Sequence, residues 1–365
     1  MLPEDSAGFY AGATRANLTD KEGKPDPNKI AEAIKFVKAA GLDYLVGSGG
    51  DDHGLQMEIL RGALEAAGIN CKVLVVNKTM DGDKGGVDGK VERIGSTAYT
   101  GPFADTTNGF HSAIQTGAQM LHYHHTGSWT NEVVTVVTHF GRDADWVGHA
   151  LSWYGHCDRI FPGEPVKGTT GHSIEKIVAL TLASMAENKA LYGRKFAVID
   201  FPEGTTIEGI NHISPDLVDP HRHKKLHPET LAVAVKEMLA MHSIPSQTVV
   251  MTYELRNFPP SRTDLELAYR TGRDVAKAIE DGATGMEVVI QFRNGGIVTS
   301  LMPIELASKK RLVSYYPRQL YDPQTFKPLP EVGRYFRPLF GDRVDRGQLL
   351  PRKPTIVNVY DAQPK

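Results

Sequence analysis

Two rhythms of apolar residues alternate along this chain. A helical period puts Ile30, Ile34 and Val37 on one face of a segment from Asn28 to Ala40, with Gly41 as its stop. The short apolar run Leu42–Val46 then reads as a strand, Leu55, Ile59 and Ala63 mark a second helix, and Val73–Val76 a second strand. Further strands are predicted at Val133–Thr138, Arg159–Phe161, Phe196–Phe201, Thr248–Thr252, Glu287–Phe292 and Ile297–Leu301. Helices fit between them near Ser112–Leu121, Ala144–Tyr154, Ile174–Leu191, Pro228–Met241 and Arg262–Asp281. Strands alternating with helices favour an α/β fold with a largely parallel sheet, and no short-period repeat points to a solenoid.

Two stretches resist the pattern. Lys84–Asn108 is rich in glycine and threonine with little periodicity, and an irregular segment of that length is a candidate for function. The tail from Tyr316 carries Lys327-Pro328-Leu329-Pro330 and Pro351-Arg352-Lys353-Pro354 and is expected to wrap a surface or a neighbouring subunit. Its basic cluster, Arg334 to Arg346, reads as a solvated face.

Composition narrows the class. A chain of 365 residues is long enough to bury a sizeable core and to form two lobes. A formal net charge of -2 supplies no global field for nucleic acid or an anionic membrane, so an anion site must be built locally. Two cysteines, Cys71 and Cys157, make neither a disulfide framework nor a zinc set, which fits a reducing, cytoplasmic location. No apolar run approaches the roughly 20 residues of a membrane span, and the first residues lack the pattern of a signal peptide.

The chemistry concentrates in two loops, Gly49-Gly50-Asp51-Asp52-His53 and Lys78-Thr79-Met80-Asp81-Gly82-Asp83, each behind a predicted strand. In open α/β sheets, ligands bind at the carboxyl ends of strands. Gly49-Gly50 lets backbone N–H groups approach a phosphate, and the helix that follows points its positive end there. Asp51 and Asp52 would repel that phosphate unless a divalent cation stands between them, and magnesium accepts one or two carboxylates together with phosphate oxygens. The competing role for one of these acids is a helix N-cap. In the second loop, acids one residue apart share a face if the backbone is extended, so one can meet a metal while the other takes a proton from a hydroxyl. Lys78 would neutralise the moving phosphoryl group; the competing reading is a polar turn.

Arg142, Glu203, Tyr253 and Arg256 also follow predicted strands, where arginine suits phosphate and the others suit sugar hydroxyls. His122, His124 and His125, and His221, His223 and His227, match no zinc spacing.

Read in order, six motifs resemble those of the phosphofructokinase family across nearly the whole chain. They are Gly49-Gly50-Asp51-Asp52, Lys78-Thr79-Met80-Asp81-Gly82-Asp83, Gly109-Phe110-His111-Ser112-Ala113, Phe140-Gly141-Arg142, Pro202-Glu203-Gly204 and Tyr253-Glu254-Leu255-Arg256. Gly12-Ala13-Thr14-Arg15-Ala16-Asn17 resembles the family's early loop, whose arginine faces the phosphoryl donor.

The resemblance implies two similar Rossmann-like lobes with mainly parallel sheets and an active site in the cleft between them. Residues 1–125 plus 257–300 would form the phosphoryl-donor lobe, and 126–256 plus 301–365 the sugar-phosphate lobe and tail. The family opens with a strand and a glycine-rich turn ahead of the loop matched by Arg15, so the donor lobe is expected to be incomplete at its N-terminal end. The implied activity is reversible, Mg2+-dependent phosphoryl transfer from pyrophosphate to the 1-hydroxyl of fructose 6-phosphate, by a homodimer or homotetramer.

Asp81 matches the base, Arg142 the arginine that steadies the transition state, and Asp51 and Asp83 the acids at or behind the metal. Thr79 matches a residue at the reacting hydroxyl, and Glu203, Tyr253 and Arg256 match sugar-phosphate contacts. Arg15, Gly50, Asp52 and Lys78 fall on the donor side. ATP-using relatives have glycine where Asp52 and Lys78 stand. A carboxylate at Asp52 would crowd and repel an α-phosphate while Lys78 offers charge to a shorter donor, so the pair resembles the pyrophosphate-dependent branch. Val133 and Gln247 stand where many relatives carry arginines that reach into a neighbouring subunit's sugar-phosphate site, which leaves the sugar open. Sedoheptulose 7-phosphate as acceptor, ATP as donor, and a non-catalytic sugar-phosphate-binding paralogue remain alternatives.

Overall fold

The computed structural model describes residues 17–20, 22–83, 91–94, 96–100, 103–141, 145–163, 171–210, 226–307 and 321–350. Helix α1 (Pro27–Ala40) opens on Asp26, whose carboxylate accepts from the N–H groups of Asn28 and Lys29, and closes on Gly41 in the left-handed region. Then come β1 (Tyr44–Gly49), α2 (Asp51–Ala66), β2 (Lys72–Asn77), β3 (Val91–Ile94) and β4 (Thr97–Thr100). Next are α3 (Phe110–Asn131), β5 (Val134–His139), α4 (Trp146–Tyr154), β6 (Arg159–Ile160), α5 (Ile174–Tyr192) and β7 (Ala197–Pro202). They are followed by α6 (Pro228–Met241), β8 (Ser246–Met251), α7 (Glu254–Asn257), α8 (Arg262–Glu280), β9 (Met286–Arg293) and β10 (Gly296–Pro303). The last are α9 (Ile304–Ala307), α10 (Pro330–Phe340) and α11 (Arg346–Leu349).

Two four-stranded sheets carry the fold, in the orders β1-β2-β9-β10 and β6-β7-β5-β8. The second is parallel throughout, and in the first only β10 runs antiparallel. Register aligns the strand ends that matter. Gly49 lies opposite Asn77 in the first sheet, and His139 lies opposite both Pro202 and Met251 in the second. Every candidate motif read as following a strand, where described, therefore emerges at a carboxyl edge. All six residues of β5 and of β7 are buried, as parallel strands covered on both faces must be.

Several elements differ from the sequence reading, each for a physical reason. Strand β1 runs on through Gly49 because Gly47 and Gly49 have no Cβ; a Cβ at either would strike the side chain of His53. Helix α3 continues to Asn131 through a polar stretch because His122 and His125 bond the carbonyls of Tyr154 and Gly155, and Ser128 bonds that of His124. Within Lys84–Asn108, β3 and β4 form an antiparallel hairpin. Phe103 and Ala104 then pack on Val289, while Asp105 anchors to the N–H of Phe292 and to Arg293.

The tail reaches the main core. Phe326 and Phe336 are fully buried there, each stabilising the fold by about 1.5–3 kcal/mol. The basic cluster is solvated only in part. Arg334 and Arg337 are exposed, but Arg346 is partly buried in an ion pair with Asp158 at 2.6 Å, and Arg343 stacks over Trp153 at 3.7 Å. Among the described residues, no helix is long and apolar enough to cross a membrane.

Candidate active site

The first half of the site is built where β1 and β2 end side by side. The N-cap of α2 is Gly50, with Asp51 and Asp52 already in the first helical turn, so the capping role weighed for these acids falls to a glycine. The side chain of Asp51 lies outside the described residues; that of Asp52 is partly buried. The Lys78 N–H donates to the Gly49 carbonyl at 2.9 Å, joining the two loops. A Cβ built at Gly50 would lie 3.7 Å from Thr79 Cβ, so the loops abut without crowding.

Thr79 and Asp81 hold each other. The Thr79 hydroxyl donates to Asp81 Oδ2 at 2.9 Å and accepts the Asp81 N–H at 3.2 Å. Asp81 Oδ1 is shielded from solvent and has no hydrogen-bond partner. Two residues from the segment before α3 brace this loop: Thr107 donates to the Thr79 carbonyl at 2.6 Å, and Asn108 Nδ2 to the Asn77 carbonyl at 2.9 Å. Gly82 has φ 68°, and a Cβ there would come within 2.6 Å of the Phe110 ring. The backbone at Gly82 is thus a turn, so extended-chain alternation does not set Asp81 and Asp83 on one face; Asp83 is partly buried on the same loop.

The second half is built from β5, β7 and β8. Glu203 is buried, its N–H donates to the His139 carbonyl at 2.9 Å, and its Oε1 accepts the Gly141 N–H at 3.2 Å. Arg256 sits 4.2 Å over the Phe140 ring, with Nε 3.4 Å from Met80 Sδ. Tyr253 meets Phe140 edge-on at 5.6 Å and is largely exposed. Met80, Arg256 and Phe140 thus connect the acidic loop of the first sheet to the Gly141 and Glu203 turns of the second. Arg15 and Arg142 lie outside the described residues, as do His221 and His223.

One buried cluster belongs to none of the sequence motifs. His139, Asp200 and Ser152 are completely buried behind the Phe140-Gly141 turn. His139 Nε2 lies 3.2 and 3.3 Å from the two Asp200 oxygens, and Ser152 Oγ donates to Asp200 Oδ2 at 2.9 Å. Burial alone would lower the His139 pKa, but the charge of Asp200, the hydrogen bonds to Asp200 and Phe140, and Glu203 together raise it above the ordinary histidine value. Burial, with the His139 charge, pushes His149 well below that value. The available signal was an acid inside the apolar run Ala197–Phe201.

Hard carboxylate oxygens dominate the first half, and Asp81 holds an unpartnered one, a donor chemistry that fits magnesium. Among the described residues, no group of three or more His, Cys, Asp or Glu is arranged to hold a metal. His122 and His125 are committed to backbone carbonyls, and both cysteines are buried.

No family model matches the sequence. The pyrophosphate–fructose 6-phosphate 1-phosphotransferase of Thermoproteus tenax is 28% identical over 322 residues, covering 87% of this chain and 80% of that protein. An ATP-dependent 6-phosphofructokinase of Spirochaeta thermophila is 24% identical over 359 residues, covering 94% and 84%. In fold, the chain is similar to the pyrophosphate-dependent phosphofructokinase of Marinobacter aquaeolei, with a TM-score of 0.67 at 18% identity over 96% of this chain and 78% of that one. The corresponding protein of Nitrosospira multiformis gives a TM-score of 0.69 at 16% identity over 97% and 78%.

Proposed function

We propose, from the similarity of the chain to phosphofructokinases in sequence and in fold, that it is a member of that family and transfers a phosphoryl group from pyrophosphate to the 1-hydroxyl of fructose 6-phosphate. The observation that carries this reading is Asp81. One of its carboxylate oxygens is fixed by Thr79 and the other is buried without a partner, one residue from the Met80 sulfur that touches Arg256. A base held ready beside a guanidinium suits a sugar phosphate whose hydroxyl must lose a proton.

In this mechanism Asp81 takes the proton of the 1-hydroxyl, the freed oxygen attacks the near phosphorus of pyrophosphate, and the bridging P–O bond breaks to release phosphate. Thr79 orients the hydroxyl, while Lys78 and Arg142 balance charge on the moving group. Glu203, Tyr253 and Arg256 hold the sugar phosphate, and Arg15, Gly50 and Asp52 shape the donor side, Asp52 excluding an α-phosphate. Asp51 and Asp83 would hold magnesium, which when bound neutralises phosphate charge. The same reading includes reversibility, assembly as a homodimer or homotetramer, a cytoplasmic location, and lobes divided near residues 125, 256 and 300.

A donor-by-acceptor matrix on the full chain tests it. Turnover is expected with pyrophosphate and fructose 6-phosphate. Turnover with ATP alone would overturn the donor, preference for sedoheptulose 7-phosphate the acceptor, and binding without turnover the enzyme.

A further inference from the structure

His139 ends β5 with both ring nitrogens committed to acceptors. Nδ1 lies 2.6 Å from the Phe140 carbonyl, which only accepts, so Nδ1 carries a proton. Nε2 faces both Asp200 oxygens at 3.2 and 3.3 Å, so it carries one as well. With Asp200 ionised, both bonds exist together only in the imidazolium. The other described groups that face this charge are Glu203 beyond β7 and His149 on α4, while Ser152 and Cys157 face Asp200. His149 is kept neutral, and burial pushes the Cys157 thiol up so that it too is uncharged.

The cation lies directly behind the acceptor half of the site. The His139 carbonyl receives the Glu203 N–H, the Glu203 carboxylate receives the Gly141 N–H, and the Phe140 ring carries Arg256 on its face. The ring is packed closely on two sides: a Cβ at Gly148 would lie 3.4 Å from His139 Nε2, and one at Gly141 3.7 Å from Cε1, both ordinary contact distances. Loss of a proton gives up either the bond to the Phe140 carbonyl or the charged pairing with Asp200, which then keeps only Ser152.

We propose that His139 is a positioning residue for the acceptor. As an imidazolium paired with Asp200 it fixes the Phe140-Gly141 turn and Glu203, and its deprotonation weakens sugar-phosphate binding while leaving the chemistry on the β1 and β2 loops intact. The proposal rests on the phosphoryl-transfer reading of the site.

Initial rates of the full chain from pH 7 to 9.5 test it, a window in which the sugar phosphate itself is already a dianion. The wild type is expected to show acceptor KM rising by about tenfold towards alkaline pH with kcat changed less than about twofold. H139Q and D200N are expected to show the raised KM at pH 7 and no alkaline limb. A flat wild-type KM profile overturns the role of His139, whether or not the variants fold. Variants that keep the wild-type KM and its alkaline limb overturn it too. Absence of turnover with every sugar phosphate at every pH overturns instead the reading of the site on which the role depends.

Discussion

Arg256 Nε lies 3.4 Å from Met80 Sδ, across the gap between the loops of the two sheets. Met80 follows β2 and Arg256 follows β8, so this contact sets the separation of an acid-rich loop from a sugar-phosphate loop. Phe140 supports the guanidinium from below at 4.2 Å, leaving its Nη atoms for a ligand.

Arg256→Ala is therefore expected to raise acceptor KM by about ten- to a hundredfold through loss of a charged contact. Because the residue is largely exposed, the melting temperature should stay within a degree or two. Arg256→Lys should recover only part of the affinity, since an ammonium neither stacks flat on Phe140 nor bonds bidentately. Initial-rate kinetics with scanning calorimetry decide this, and an unchanged KM in the alanine variant would remove Arg256 from the site.

Asp81→Asn keeps the shape of the loop and one acceptor for Thr79 while removing the base. A fall in kcat of about 10²–10⁴ is expected with KM nearly constant. Single-turnover measurements that find near-normal chemistry would rule out Asp81 as the proton acceptor.

Gly82→Ala probes the turn. The left-handed backbone and the Phe110 ring 2.6 Å from a built Cβ both oppose a side chain. A loss of about 1–3 kcal/mol in unfolding free energy is expected, with reduced kcat as the Asp81 loop shifts. Denaturant titration giving wild-type stability would show that the loop relaxes freely.

The contacts of the tail predict acid sensitivity. Burial, then Arg346, lowers the His125 pKa to about 3, and burial, then Arg343 and Arg346, lowers that of His156 to about 4, both from 6.5. Below pH 6.5 the unfolded chain binds protons that the fold refuses, so this stability is complete above pH 6.5 and declines as pH falls towards 4. His156→Asn suits the site because His156 has φ 59°, which asparagine tolerates. Its unfolding free energy should vary less steeply between pH 6.5 and 5 than that of the wild type; equal slopes would place the acid response elsewhere.

Local pattern carried much of this architecture. Pro228–Met241 was legible at both ends because Pro228 starts a helix and the apolar period holds to Met241. The candidate loops were legible as strand ends because apolar runs stop where glycines and acids begin. Other features required partners distant in the chain. Polar His122, His125 and Ser128 stay helical because carbonyls receive them, and Arg346 leaves the solvated face because the buried Asp158 pairs with it. His139 and Asp200, 61 residues apart, meet because β5 lies beside β7 and Ser152 supplies a third bond. Periodicity reports which face of an element leaves water. Which polar group meets another inside depends on strand order and register, and those are set only when the sheets assemble.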